Sequence, residues 1–450
     1  MDRLSRRRFL RALSAGGALY ALGSTPGTVV AQTAAVNAFS DYKALVCVFL
    51  LGGNDSWSVV VPRSAAEYAA YAASRQNLAI AQDVLLPIEP LESDGAAYGI
   101  HPSMPGVQSL FESGRCAVIA NVGALIEPVT LEQYQQGSVP LPPQLFSHND
   151  QQDQWHTLRG QRTMRSGWAG RIADVLAEQT SSQQLALNIS LSGTTVFQAG
   201  EVAAPYVMGP TGTAFSALGN TASTLARRAA FERIVYASQA DIYGRAFAEV
   251  QDRALRYSTL VNSALAAAPV LATAFPASAL ATQLKTVARM IAVRDRLGMS
   301  RQIFYVAAGG FDTHDSQLLN QPGLLSDVSA SLAAFYRATV ELDVSANVTT
   351  FTHSDFGRTL TSNGDGSDHA WGGVQFVIGD AVRGRSFYGH YPVLEIGGPV
   401  DVGGGRMIPS ISTDQYAATL TKWFGVDSAH QLLITPDIGN FADQDLAFML

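Results

Sequence analysis

Cysteine is scarce in this chain: two in 450 residues, Cys47 and Cys116, both inside apolar runs. No Cys stands at metal-binding spacing from a His, so any metal must be held by oxygen and imidazole. Both cysteines are expected as free core thiols rather than as a disulfide. Beyond the N-terminus no run approaches the ~20 apolar residues of a membrane span, so the mature chain is expected to be soluble. Basic excess is missing too: the formal charge is −7, and it becomes −11 once residues 1–31, with five arginines and one aspartate, are set aside. Phosphate-backbone binding needs clustered Lys and Arg, so an acidic chain excludes nucleic acid as a partner. No internal repeat and no Pro/Ser/Gly linker divides the sequence.

What is present begins with Ser5-Arg6-Arg7-Arg8-Phe9-Leu10, an apolar small-residue run from Ala12 to Leu22, and an exit at Val29-Val30-Ala31. Basic, apolar and cleavable segments in that order predict a secretion signal, and adjacent arginines ahead of Phe-Leu select the twin-arginine route. The expectation is a signal over 1–31, a single α/β domain over 40–450, and a periplasmic or extracellular protein that folds before export.

Short β-branched apolar runs ending in Gly, Asp or Ser recur at 44–51, 117–122, 185–189, 303–307 and 348–352, with another at 375–378. Separated by helical stretches, they predict a largely parallel sheet covered on both faces, an α/β sandwich. The Ala-rich region 222–297, broken by Pro269 and Pro276, reads as two or three helices packed as a subdomain or cap. A Gly-rich segment at 403–405 and a helix from about Thr413 to Phe424 follow.

Ligands in such sheets bind beyond the carboxyl ends of the strands. Four segments there carry chemistry. Gly52-Gly53-Asn54-Asp55 follows the first strand as a turn or as a close approach to a ligand. Asp312-Thr313-His314 places a carboxylate and an imidazole within reach of one cation. His353-Ser354-Asp355-Phe356-Gly357-Arg358 repeats the pairing and adds an arginine able to hold an anionic oxygen in bidentate fashion; Asp368-His369 follows in a glycine-rich loop. Three of the eight histidines lie in these segments, each within two residues of an aspartate. In the fourth segment, Phe146-Ser147-His148-Asn149-Asp150, Ser147 reads as a helix cap or as a nucleophile at a helix N-terminus, and His148 as a binding group.

Taken together, LGGNDSWSVVVP, FSHNDQQDQWHT, GWAGRIAD, GGFDTHDSQ and THSDFGRTLTSNGDGSDHAWGG resemble the domain-of-unknown-function 1501 family over nearly the whole mature chain. That family is remotely similar to the alkaline phosphatase and sulfatase superfamily. The resemblance implies an alkaline-phosphatase-like fold with Asp55, Asp312, His314, Asp355 and His369 as metal ligands and Ser147 as nucleophile. It implies one or two divalent ions (Zn, Mn, Mg or Ca), with Arg358 on the substrate anion. Phe356 stands where the superfamily usually has a histidine after the later aspartate, and His353 lies two positions before that aspartate. Cys116 is not in the Cys/Ser-x-Pro-x-Arg context that sulfatases modify. The functional expectation is an exported metal-dependent hydrolase of phosphate or sulfate esters or a related anionic small molecule or polymer. The alternative is a non-catalytic envelope protein that uses the scaffold to bind a polymer or a protein partner.

Overall fold

The computed structural model describes residues 39–92, 95–159, 165–212, 222–237 and 241–450. The twin-arginine motif and its exit at Ala31 lie outside the described residues. Among the described residues the central sheet has nine strands: β1 (Lys43–Leu50), β2 (Cys116–Gly123), β3 (Asn188–Ser190), β4 (Tyr206–Val207), β5 (Arg301–Ala308), β6 (Val348–Ser354), β7 (Gly373–Ile378), β8 (Phe387–Tyr388) and β9 (Ile411–Ser412). Their order is β8-β2-β7-β6-β1-β5-β3-β4, with β9 also on β2.

All pairings are parallel except those of β7, which runs antiparallel to both β2 and β6. The sheet is therefore largely parallel, as its apolar strands predict, with β7 as the exception. The run at 375–378 has the same apolar character as its neighbours, and strand direction depends on the connections rather than on composition.

Residues of both parities in β1 are apolar because both faces of the strand are covered. Ala44, Val46, Val48 and Leu50 belong to one core, and Leu45, Cys47 and Phe49 to the other. The second core contains Trp155 of α1 (His148–Thr157).

In the Ala-rich region, α2 (Ala222–Val235) and α3 (Ile242–Ala266) form a pair whose outer surfaces leave Ile234, Tyr243 and Phe247 exposed. The third helix, α4 (Ala279–Ala292), instead buries Leu284, Val287 and Ile291 in the first core and packs on α5 (Gln317–Glu341). The region thus contributes core support as well as surface. Across the sheet, α6 (Thr413–Phe424) closes the second core and starts with a full capping box from Ser412 and Gln415. Among the described residues no helix is long and apolar enough to cross a membrane.

Cys47 and Cys116 are both buried and free, one in each core. Burial pushes both thiols up from their ordinary value.

Candidate metal centre

β6, β1 and β5 are neighbours running in one direction, so their carboxyl ends deliver Asp355, Asp55 and Asp312 to the same edge of the sheet. The turn after β1 requires its glycines. Gly52 and Gly53 have φ of 115° and 81°, and a side chain at Gly53 would collide with the ring of Phe356. The N-terminus of α1 brings His148 to this edge, and a two-stranded ribbon, Arg358–Ser362 with Ser367–His369, brings His369.

One ligand atom each from His148, Asp312 and His369 lie within 4.8 Å of one another, the geometry of a shared cation. His148 Nε2 is 3.4 Å from Asp312 Oδ2, while His314 Nε2 and His369 Nε2 stand 3.1 and 3.5 Å from Asp312 Oδ1. Behind each ring the Nδ1 atom is already engaged. His148 Nδ1 is 2.6 Å from Asp355 Oδ2, His314 Nδ1 is 3.2 Å from Asp368 Oδ1, and His369 Nδ1 is 2.8 Å from the Phe146 carbonyl oxygen.

A main-chain carbonyl and an ionised carboxylate only accept, so each Nδ1 donates and each Nε2 of a neutral ring presents a lone pair. Two of these lone pairs, on His314 and His369, face each other at 2.8 Å. Such a contact requires a proton or another cation between the rings. Rings oriented through Nδ1 with Nε2 converging on a carboxylate fit a divalent ion of the zinc type.

The electrostatics match. Burial raises the Asp312 carboxyl, but the Arg358 guanidinium and the neighbouring His314 and His148 more than offset it and hold it below the usual range. Burial also lowers His369, helped by the nearby charges of His148, Arg358 and His314 and opposed by its bond to the Phe146 carbonyl. The site is open to solvent, with 46% of the Asp312 side chain exposed.

The other expected residues are placed differently. Asp55 is fully buried and ion-paired to Arg75, itself fully buried, and it accepts from Ser58 and Gln317 as well. Among the described residues it joins no cluster of potential ligands. Asp355 is buried behind His148 and also accepts from Gln152 and the Gly52 N–H, so its contacts are with the ring's support.

Arg358 is buried rather than open to a substrate. Its donors go to the carbonyls of Gly52, Gly53 and Ser367 and to the Asp312 carboxylate. Ser147 precedes α1, but its hydroxyl donates to Asp150 at 2.6 Å and makes no cap bond to the helix.

His353 is remote from this chemistry. It is buried, 3.0 Å from Cys47 Sγ and stacked on Trp155. Phe356 packs its ring 4.8 Å from His148 and 4.6 Å from His369, forming an apolar wall where a histidine was expected.

Residues 42–429 match the family model described as Protein of unknown function (DUF1501). No curated protein matches the chain. Among solved structures the chain is similar to the lipoteichoic acid synthase LtaP from Listeria monocytogenes, at 9% identity over 89% of this chain and 76% of that one, with a TM-score of 0.33. It is similar to Ps i-CgsB in complex with k-i-k-neocarrahexaose, at 10% identity over 87% and 74% with a TM-score of 0.34. A mutant of alkaline phosphatase PafA shares 12% identity over 72% and 64%, with a TM-score of 0.25. At these levels the likenesses carry no argument about chemistry.

Proposed function

We propose that this chain, which belongs to the DUF1501 family, is an exported metal-dependent hydrolase of phosphate or sulfate esters or a related anionic substrate. The observation that supports it is the convergence of three imidazole Nε2 atoms on Asp312 while every Nδ1 is held from behind. His148, His314, His369 and Asp312 would hold the ion. Imidazole-rich donors favour Zn²⁺ or Mn²⁺ over Ca²⁺, which takes six to eight oxygens. A divalent cation there would supply Lewis-acid polarisation of an ester oxygen.

The chain's own residues do the rest. Asp355, Asp368 and the Phe146 carbonyl orient the rings, and Arg358 fixes the Asp312 carboxylate from the protein side. Phe356 limits water on one flank. Ser147 is the proposed nucleophile: its proton is already directed at Asp150, which would accept it as the hydroxyl oxygen bonds to phosphorus or sulfur and the bond to the ester oxygen breaks. The alcohol leaves with a proton from solvent, and water then hydrolyses the seryl ester. The motif Ser5–Leu10 supports export to the periplasm or beyond, checked by sequencing the N-terminus of secreted protein for processing after Ala31.

The deciding experiment measures divalent metal in natively exported protein, together with its thermal shift on chelation. Bound metal and a chelator-sensitive melting temperature are expected; substoichiometric metal with no shift sinks the reading. Ser147→Ala should keep the metal and lose turnover on a chromogenic phosphate or sulfate ester. Full activity in that variant would remove Ser147 from the mechanism.

A further inference from the structure

An anionic substrate needs a cation that can reach it, and the arginine expected for this, Arg358, is buried and ion-paired. So is Arg75. A third arginine stands at the rim. Arg406 Nε donates to the His369 carbonyl at 3.0 Å and Nη1 to the Gly403 carbonyl at 2.9 Å. Its guanidinium carbon lies 5.4 Å over the ring of Phe146, whose carbonyl in turn holds the His369 ring.

The loop that presents this arginine is rigidly built. Gly403, Gly404 and Gly405 have φ of 125°, 68° and 77°, a run that favours glycine at each position. One oxygen of the Asp401 carboxylate accepts the N–H groups of both Gly403 and Gly405. Arg406 is partly exposed and, among the described residues, forms no close ion pair and leaves its Nη2 without an acceptor, although the Asp368 carboxylate feels its charge. A planar guanidinium with two of its nitrogens anchored and the third open is pre-organised for a tetrahedral oxyanion.

We infer that Arg406 is a substrate-contact residue that fixes an anionic oxygen of a phosphate or sulfate group beside the His–Asp cluster. The inference rests on the metal-site reading for what reacts there, while the anion contact is Arg406's own. It makes the substrate one whose charge is read by a side chain on the glycine loop, separate from the groups that would hold metal.

The test titrates inorganic phosphate and inorganic sulfate calorimetrically into the mature chain at low salt, with metal content measured on the same samples. Arg406→Gln should weaken oxyanion binding by about 10-fold or more, as loss of a charge-assisted hydrogen bond implies. Metal content and melting temperature should stay unchanged. Arg406→Lys, which keeps the charge without the planar fork, should recover part of the affinity and guards against a folding defect in the glutamine variant. If the parent and Arg406→Gln bind both oxyanions equally with metal retained, the Arg406 assignment fails and the metal reading stands. If the protein holds no metal yet binding still depends on Arg406, the hydrolase reading fails and the anion site stands. A parent chain that binds neither oxyanion overturns the assignment.

Discussion

Asp55 and Asp312 follow adjacent parallel strands, and each meets an arginine, yet they do opposite things. Asp55 and Arg75 are both fully buried, and Arg75, Ser58 and Gln317 all donate to Oδ2 of the aspartate while its Oδ1 is buried without a hydrogen-bond partner among the described residues. Asp312 meets Arg358 on its inner side only and leaves nearly half of its side chain open among three imidazoles. The difference teaches that a carboxylate at a strand end gains its role from what stands on its far side. Asp55 is walled by protein and held by an arginine, whereas Asp312 is open to solvent and imidazole lone pairs and is the candidate for chemistry.

The sharpest way to break this comparison is Arg75→Met. An uncompensated buried carboxylate should cost about 3–5 kcal/mol, with the double variant Asp55→Leu/Arg75→Met regaining most of it. Denaturant unfolding reads both, and a mild single-variant loss would mean that Asp55 is less isolated than its contacts indicate. On the open side, His369→Ala or His148→Ala should weaken divalent metal binding by about 100-fold or more while leaving metal-free stability within about 1 kcal/mol. Calorimetric zinc titration measures the first, and unchanged affinity would remove that imidazole from the site. Asp355→Asn should fall between, at about 10–100-fold weaker metal binding, because it acts on His148 from behind. A loss as deep as that of His148→Ala would promote Asp355 to a direct ligand.

These assignments show what local pattern can and cannot reveal. The strands were legible because continuous apolar runs leave no other way to bury both faces, and the strand ends then pointed to Asp55, Asp312, His314 and Asp355, with His369 in the glycine-rich loop beyond. The partition of roles was not legible. Arg75 lies in AAEYAAYAASR, an ordinary helical surface pattern, and its capture of Asp55 is a tertiary contact. His148 pairs with Asp355 across 207 residues, so its neighbourhood signalled a helix start and left its ligand geometry unspoken. Asp368 is adjacent to His369 in sequence, yet the ring it meets is His314.

A smaller effect separates the buried side from the open one by pH. Burial lowers His101 to about 4, against the opposing charge of Asp55, and lowers His156 to about 3. His101 Nδ1 accepts the Ser103 N–H at 3.1 Å, as a neutral ring must. An unfolded imidazole near 6.5 takes up a proton that these folded rings refuse, so their contribution is intact above that value. It is lost as pH falls from about 6.5 towards 4 and 3, by about 1.4 kcal/mol per pH unit for each ring. His156→Phe should flatten the fall of melting temperature between pH 6.5 and 4.5; parallel curves would assign acid sensitivity elsewhere.

The two thiols carry a last consequence. Cys47 and Cys116 occupy different cores, on strands separated by two others, which sets them about 14 Å apart at ordinary strand spacing. A disulfide needs α-carbons within about 7 Å, so no oxidant can join them without dismantling the sheet. The covalent connectivity of the folded chain is therefore the same under reducing and oxidising conditions. Were the chain exported already folded, as proposed, the change of redox surroundings would leave it no internal disulfide to form and no isomerase to need.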